Sequence, residues 1–398
     1  MKRFAIEVVV LLLAVTANGL SQTAKATDFE RQKALTLEQQ GKNAEAEEAW
    51  RAFLKLHPST PEPYAHIGLL EARQEHYKEA LPFYRKALAM NPAVPGLRLN
   101  LGLALFKEGD LQGAIREFSV LLKSAPTSSA QAQRLTILIG MAHYGLAQYT
   151  EAIPFLKEAA ARDAQNLPLR LALAHSCLWT KQNQCVMDVY REILALNSES
   201  AEADMLAGEA LDEMKDNEGS TKMFRAAVKA NPKEPNVHFG LGYLLWTQKL
   251  YEEAVREFHA ELANDPNHIQ AMLYLADAEM QMNQMEDSGP LLERVVKTDP
   301  ALGLAHLDLG ILYGDHGRNE EALKELTIAE KLMPNEVNVH WRLGRLYRAL
   351  GKQNEAKAEF DRASTLNRVA DEDLYKKIAN GHARPAPPQE TGVPTPDK

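Results

Sequence analysis

The stretch Leu307–Tyr313 (LDLGILY), followed by Gly317, Ala322 and Pro334, contains the pattern that decides the fold of this chain. Its small central residue, Gly310, belongs to a series whose members stand 34 residues apart, with one interval of 38. The other members are Gly68, Gly102, Gly140, Ala174, Gly208, Gly242, Ala276 and Gly344. A fixed period of this size is the signature of structural repeats that stack on one another.

Other positions recur in the same register. An alanine stands twelve residues after the small residue, and a large apolar residue follows four further on, as in Gly242, Ala254 and Phe258. The apolar spacing is helical, since Leu241, Leu244 and Leu245 share one stripe. Proline closes seven units, at Pro58, Pro92, Pro126, Pro232, Pro266, Pro300 and Pro334. Because proline cannot continue a helix but can begin one, each unit is predicted to hold two antiparallel helices of about three turns.

Counting from Thr27, ten units fit the sequence, and one polar insertion of four residues interrupts them after Pro126. The units are 27–60, 61–94, 95–128, 133–166, 167–200, 201–234, 235–268, 269–302, 303–336 and 337–370. We expect the small residue to let the two helices of a unit approach closely. The large residue, such as Phe118, is expected to fill the space between neighbouring units.

This pattern resembles the tetratricopeptide repeat family. The resemblance is clearest in Leu307–Tyr313 with its following residues, and again in Leu241-Gly242-Tyr243 followed by Tyr251, Ala254, Phe258 and Pro266. It covers residues 27–370. The resemblance implies an all-α, right-handed superhelical solenoid of antiparallel helix pairs, whose first helices line a concave groove.

The N-terminus has the features of a signal peptide, predicted here as residues 1–26. Lys2 and Arg3 precede an almost wholly apolar run from Val8 to Val15, and Ala24 and Ala26 form a signal-peptidase pattern. The run is far shorter than the ~20 residues that a membrane-spanning helix needs. Cleavage after Ala26 is expected, and an uncleaved anchor is the alternative. The mature chain is therefore expected to be exported, either periplasmic or secreted, and to have no membrane span.

The C-terminus is predicted to close the array. Residues 371–380 are expected to form a short capping helix, with Leu374 and Ile378 on one side and charges on the other. The segment 381–398 is rich in proline, as in Arg384-Pro385-Ala386-Pro387-Pro388, and is predicted to be a disordered tail.

The chain has two cysteines, Cys177 and Cys185, predicted to lie across the turn between the two helices of one unit. In an oxidising compartment they could form a disulfide that clips this hairpin. The alternative is a pair of buried thiols, since cysteine is often a small core residue. A zinc site is disfavoured because no histidine cluster lies nearby in the sequence.

The register places a set of mainly apolar residues on the groove side of the first helices. The predicted partner-binding residues are Phe106, Tyr144, Trp179, Phe239, Tyr243, Trp246, Trp341 and Arg345. Exposed Trp and Tyr are typical binding anchors; the alternative is that these side chains pack between adjacent first helices. Charge is uneven along the same path, with an acidic group (Glu202, Glu209, Asp212, Glu213) and a basic group (Arg342, Arg345, Arg348).

Several function classes are disfavoured. The net charge of −9 argues against nucleic acid as a partner. The sequence has no phosphate-binding glycine loop, no HExxH and no nucleophile elbow, so neither catalysis nor a cofactor or metal is expected. His238, His306 and His340 recur at one position of their units, which indicates a structural role. The carboxylate clamp that some family members use has Lys and Asn at positions that are occupied here by Ala65, Leu69, Leu99 and Leu103.

The leading hypothesis is an exported, non-catalytic scaffold that binds a protein or peptide segment in its groove and aids assembly of a cell-envelope or secretion complex. The alternative is a carrier of an apolar or glycan ligand that stacks on Trp179, Tyr243 and Trp246 in the same groove. An enzyme is the least supported of the three.

Overall fold

The structure is a computed structural model that describes residues 29–381 except Ser198 and 285–287, with side chains as far as residue 369. The predicted signal peptide and the tail beyond Gly381 lie outside the described residues. The part of the chain that is described consists of α-helices and short connections, without a β-strand. This confirms the all-α class.

The helices follow one another in pairs. They are α1 (29–39), α2 (Asn43–Leu56), α3 (Pro61–Arg73), α4 (Tyr77–Met90), α5 (Leu97–Glu108), α6 (Leu111–Ser124), α7 (Ala130–Gly145), α8 (Tyr149–Arg162), α9 (Leu167–Trp179), α10 (Asn183–Leu196), α11 (Ala201–Glu213), α12 (Asn217–Ala230), α13 (Val237–Thr247), α14 (Tyr251–Asn264), α15 (Ile269–Gln281), α16 (Ser288–Thr298), α17 (Gly303–Asp315), α18 (Asn319–Leu332), α19 (Val337–Ala349) and α20 (Gln353–Gly381). Each of the ten predicted units contains one pair, called a repeat below.

The insertion after Pro126 lengthens a first helix. Helix α7 begins at Ala130, three residues before the predicted start of its unit, and spans 16 residues. The Ser129 side chain accepts a hydrogen bond of 3.1 Å from the backbone N–H of Ala132, which caps the added turn.

The chain divides into two compact parts between Met223 and Phe224, called here the N-terminal part and the C-terminal part. The core of each is built from the same repeated positions. Trp50, Tyr84 and Phe118 are fully buried in the N-terminal part, and Phe258 is fully buried in the C-terminal part. Burial of apolar surface, to which these second-helix residues contribute, is the main favourable term in folding.

The small residues are needed for contact within a repeat. A Cβ atom added to Gly102 would lie 2.5 Å from the ring of Phe118, and one added to Gly344 would lie 2.7 Å from Phe360. Phe118 and Phe360 therefore pack on the glycine of their own repeat, whereas Phe224 packs on Gly240 of the repeat that follows it. Phe118 was expected from the sequence to lie between neighbouring units, and its contact with Gly102 was not predicted. The Phe118 ring occupies the space that a side chain at position 102 would fill.

All ten repeats turn from their first helix into their second with the same backbone geometry. Residue 15 of each has a positive φ between 55° and 91°. Four repeats have glycine there, namely Gly41, Gly109, Gly317 and Gly351, and the other six have Glu75, Ala147, Lys181, Lys215, Lys249 and Asn283. The turn is therefore imposed by helix packing even where the residue does not favour it.

The last helix is longer than the repeat requires. Helix α20 runs from Gln353 to Gly381 over 29 residues, so the segment 371–380 continues it, whereas the sequence predicts a separate capping helix there. The physical reason is local, because the sequence has neither proline nor glycine between Gln353 and Asn380 to end the helix.

Candidate partner-binding surface

The predicted binding residues lie on first helices, and their exposure separates them into two groups. Trp179, Trp341 and Tyr243 are 66%, 43% and 38% exposed, and Arg345 is also exposed. The others, Phe106, Tyr144, Phe239 and Trp246, are half-buried. The first group offers free surface to a partner, whereas the second is held by packing between helices.

In the N-terminal part, Trp179 belongs to an aromatic row that includes a residue absent from the sequence prediction. Its ring stacks on Tyr149 at 5.9 Å between centroids and 12° between planes. Tyr149 in turn contacts Tyr144 edge-on at 6.0 Å, and Tyr144 contacts His175 at 6.3 Å. Tyr149 begins the second helix α8, so a search confined to first helices does not find it. Together these rings form a platform for a flat or cationic group.

Acidic groups adjoin this platform. Nε2 of His175 lies 3.6 Å from a carboxylate oxygen of Glu202. Burial raises the pKa of the Tyr144 hydroxyl, and the charges of Tyr149 and Glu202 raise it further. The pKa of Glu209 is also raised, mainly by partial removal from water, with Glu213 adding to the shift and His175 opposing it. The platform therefore lies in a negative electrostatic environment.

Cys177 and Cys185 are joined by a disulfide in the structure, with their Cα atoms 5.9 Å apart. Cys177 is buried near the end of α9, and Cys185 lies near the start of α10. The bridge spans the turn that follows Trp179, so the hairpin that presents this indole is closed covalently.

The C-terminal part has a denser aromatic group, formed by Phe239, Tyr243, Trp246 and Tyr274. Trp246 lies 5.9 Å from Tyr243 and 5.0 Å from Tyr274, centroid to centroid. Its indole N–H donates a hydrogen bond of 2.5 Å to Oδ2 of Asp277 on α15. Trp246 and Phe239 therefore pack between the first helices α13 and α15, as in the alternative interpretation, and Tyr243 keeps the accessible surface.

Two carboxyl groups near this aromatic group, those of Asp277 and Asp308, were not among the residues predicted from the sequence. Asp277 and Asp308 are 6% and 3% exposed. Burial holds the pKa of Asp308 well above its usual range, the nearby Asp277 raises it further, and Arg342 opposes this. In the part of the chain that the structure describes, Oδ2 of Asp308 has no hydrogen-bond partner. Burial of this carboxyl therefore favours its neutral form over its charged form.

Helix α19 presents a basic and aromatic face, which we call the arginine face: Trp341, Arg342, Arg345 and Arg348. The guanidinium carbons of Arg345 and Arg342 lie 4.9 and 5.4 Å from the centre of the Trp341 ring. Arg348 lies 5.6 Å from the ring of Phe360. Among the described residues, none of the three arginines forms an ion pair with a carboxylate.

The recurring histidines join the two helices of a repeat. Nδ1 of His238, His306 and His340 lies 2.6, 2.6 and 2.7 Å from the carboxylates of Glu257, Glu325 and Glu359, each 19 residues later. Ligand atoms of Glu330, His340 and Glu359 lie within 4.8 Å of one another. However, both ring nitrogens of His340 already face oxygen acceptors, Glu359 and the Pro334 carbonyl. These contacts give His340 and Glu359 a structural role in joining the helices of the repeat.

Ten helix pairs in tandem, with aromatic and charged side chains displayed on their first helices, define an all-α repeat protein. The sequence matches the tetratricopeptide repeat family over residues 31–95, 71–136, 205–269, 250–302 and 307–367. The chain belongs to this family, whose repeats form protein-interaction scaffolds. The segment 137–204 is not matched, although it folds into helix pairs of the same kind.

Individual relatives are distant. Anaphase-promoting complex subunit 3 of Schizosaccharomyces pombe is 26% identical over 166 residues, which is 41% of this chain and 24% of that protein. The TPR repeat-containing protein YpiA of Bacillus subtilis is 21% identical over 265 residues, covering 64% of this chain and 62% of the relative. The chain thus matches only part of either protein.

The solved structures that match part of this chain have low sequence identity. MamA 41-end from Desulfovibrio magneticus RS-1 is 23% identical with a TM-score of 0.39, and the match covers 43% of this chain and 97% of that one. YrrB, described as a TPR protein with an unusual peptide-binding site, is 17% identical with a TM-score of 0.40, and the match covers 48% of this chain and 97% of that one.

Within the described residues, no helix combines the length and apolar character needed to cross a membrane.

Proposed function

We propose that this tetratricopeptide repeat protein is an exported, non-catalytic scaffold that binds a segment of a partner protein on the exposed faces of its first helices. The partner segment would belong to a cell-envelope or secretion complex whose assembly the scaffold aids. Export is proposed from residues 1–26, with their basic start, apolar run and Ala24–Ala26 cleavage pattern.

One observation carries the binding proposal. Trp179, Tyr243 and Trp341 keep more than a third of their surface exposed, whereas the recurring large residues of the second helices, such as Phe118 and Phe258, are buried. Exposed aromatic residues beside charged groups are typical of interface hot spots. The charges differ between the two parts, since Glu202 lies beside His175 of the platform that includes Trp179, whereas arginines adjoin Trp341. Each patch would therefore select a different stretch of a partner.

Affinity capture tests the proposal. The full-length gene carrying a C-terminal tag would be expressed in its native host, and proteins that co-purify would be quantified by mass spectrometry. We expect one stoichiometric partner, whose recovery falls at least about tenfold with Trp179→Ala or Trp341→Ala. Leu332→Ala serves as the control, because Leu332 is 40% exposed but lies on the second helix α18. Equal recovery by all variants contradicts the assignment of the surface.

Export is tested separately. Cell fractionation and N-terminal sequencing of the mature protein are expected to show an extracytoplasmic chain that begins at Thr27. Deletion of residues 1–26 should retain the protein in the cytoplasm. A cytoplasmic, uncleaved wild-type chain would contradict export while leaving the scaffold proposal intact.

The alternative function is a carrier of a glycan or apolar ligand. The near-parallel stack of Trp179 on Tyr149 favours it, because sugar rings bind on such aromatic faces. Native mass spectrometry of the purified chain distinguishes the two functions. A bound lipid or glycan without any protein partner supports the carrier, and a stoichiometric protein supports the scaffold.

A further inference from the structure

A cavity of about 120 Å³ opens between the first helices α17 and α19 in the C-terminal part. Its wall includes Ile311, Gly314 and Asp315 of α17, Asn319 of α18, and Arg342 and Arg345 of α19. It therefore lies directly beside the arginine face.

Gly314 lines the cavity and, having no side chain, places nothing in it. Among the equivalent positions of the other repeats, Ala72 is the only small residue, and the rest are Glu38, Phe106, Tyr144, Leu178, Asp212, Trp246, Met280 and Arg348. Close packing does not require this glycine, since a Cβ added to Gly314 would meet only the Cβ of Ala322 at 3.8 Å. By contrast, a Cβ added to Gly310 would lie 2.7 Å from Leu326. Glycine within a helix costs up to about 1 kcal/mol relative to alanine, so its use here calls for another reason.

The electrostatics of the cavity favour an anion. Burial lowers the pKa of the Arg342 guanidinium and the adjacent Arg345 lowers it further, while Asp315 and Asp308 oppose this. Across the residues whose side chains are described, the buried Nε of Arg342 has no hydrogen-bond partner. Asp315 on the cavity wall is exposed, and the raised pKa of Asp308 disfavours the charged form of that carboxyl. Two guanidinium groups thus line the cavity, and within the described part of the chain neither forms an ion pair with a carboxylate.

We propose that this cavity binds the carboxylate of a glutamate or aspartate side chain from an acidic partner segment, held between Arg342 and Arg345. Arginine is suited to this role because its planar fork of donors matches the geometry of a carboxylate. Ile311 on one wall and the exposed Trp341 on α19 supply apolar surface for the residues around the acid. The inference rests on the proposed scaffold function and specifies the chemistry of the partner at this site.

Binding of matched peptides to the full chain tests the inference. The probe is a fluorescein-labelled octapeptide of alternating glutamate and leucine, amidated at its C-terminus, and its counterpart has glutamine for glutamate. Fluorescence anisotropy is expected to show at least about tenfold tighter binding of the glutamate peptide. Because the peptide is amidated, binding would come from side-chain carboxylates. Equal binding of both peptides, or no binding of the glutamate peptide up to about 1 mM, overturns the inference.

Two variants locate the site. Gly314→Met fills the cavity with the side chain that repeat 8 has at Met280, and Arg345→Gln removes one guanidinium. Each is expected to weaken the glutamate peptide at least about tenfold while the thermal unfolding midpoint stays at or above that of the wild type. Arg256→Gln, on the exposed side of α14, is the charge-matched control and should bind normally. Wild-type affinity in Gly314→Met and Arg345→Gln overturns the assignment.

Partner capture separates this inference from the proposed function. If wild type captures a partner and Gly314→Met and Arg345→Gln capture it equally well, the scaffold function stands and the carboxylate site fails. If wild type captures no protein while the glutamate peptide binds as expected, the site stands and the scaffold proposal fails.

Discussion

The indole N–H of Trp246 on α13 donates a hydrogen bond of 2.5 Å to Oδ2 of Asp277 on α15, so one first helix is tied to the next across the surface that a partner would meet. Asp277 also accepts a weaker bond of 3.3 Å from Gln281. The contact makes Trp246 a packing residue whose ring supports the more exposed Tyr243.

Trp246→Phe is expected to destabilise the protein by about 1–3 kcal/mol, because the buried carboxylate of Asp277 loses its shorter hydrogen bond. Urea unfolding followed by circular dichroism measures the change. Asp277→Asn keeps an acceptor for the indole and should cost less. Full stability of Trp246→Phe would show that this bond does not contribute.

Gly344→Ala and Gly314→Ala are expected to change stability in opposite directions. The new Cβ at position 344 would lie 2.7 Å from the ring of Phe360, and overpacking of this kind costs about 1–3 kcal/mol. The Cβ at position 314 has room, so that variant should gain up to about 1 kcal/mol from helix propensity. Differential scanning calorimetry should show a lower unfolding temperature for Gly344→Ala and an unchanged or higher one for Gly314→Ala. A loss of stability in Gly314→Ala would contradict the conclusion that there is room for a side chain at position 314.

The recurring turn offers a test of backbone strain. Lys249 has a φ of 61°, where Gly317 has 72° in the same turn of another repeat. Lys249→Gly is expected to stabilise the chain by about 0.5–1 kcal/mol, because glycine avoids the steric cost of a left-handed conformation. Gly317→Ala should destabilise it by a similar amount. If the thermal unfolding midpoints of both variants rise, or both fall, the steric cost of the left-handed conformation is not what determines their stability.

Asp308 is expected to make stability depend on pH. Its carboxyl has a raised pKa in the folded state, so its contribution to stability is complete below the ordinary value of 3.8 and is lost as pH rises through the folded pKa. Asp308→Asn has a neutral side chain of similar shape. Its stability relative to wild type should therefore grow from pH 4 upwards, as measured by urea unfolding at several pH values. A constant difference across that range would show that the pKa of Asp308 is not raised by folding.

The bridge between Cys177 and Cys185 is expected to persist in protein purified under oxidising conditions. Thiol titration of the denatured chain should find no free thiol without reductant and two after reduction. Loss of the bridge in a Cys177→Ser, Cys185→Ser double variant should cost about 2 kcal/mol, since the closed loop is short. Two free thiols in the untreated protein would favour the alternative of unpaired cysteines.

Much of the fold follows from local sequence. The helix pairs could be predicted because the 34-residue series, the helical apolar spacing and the closing prolines act over short distances along the chain. The common turn was only partly predictable. Glycine marks it at Gly109 and Gly317, but Lys249 adopts the same backbone because helix packing outweighs residue preference.

The candidate site was less predictable, because exposure depends on neighbours that the sequence does not specify. Trp179 and Trp246 were both predicted on the groove side, yet Trp179 is 66% exposed and Trp246 is held by Asp277. Tyr149 joins the platform from a second helix. The sequence shows glycine at position 314, where most repeats have a larger residue. That this glycine lines a cavity together with Arg342 and Arg345 of the next repeat could be seen only in the structure.

The sequence alone therefore determined the tetratricopeptide repeat architecture and its register, since these depend on periodic spacing within each repeat. The tertiary structure decided which side chains remain accessible, which carboxyl has its pKa raised by burial, and where a missing side chain leaves a cavity. These properties arise between adjacent helices, where packing and desolvation act on residues that are 30 or more positions apart, such as Trp246 and Asp277.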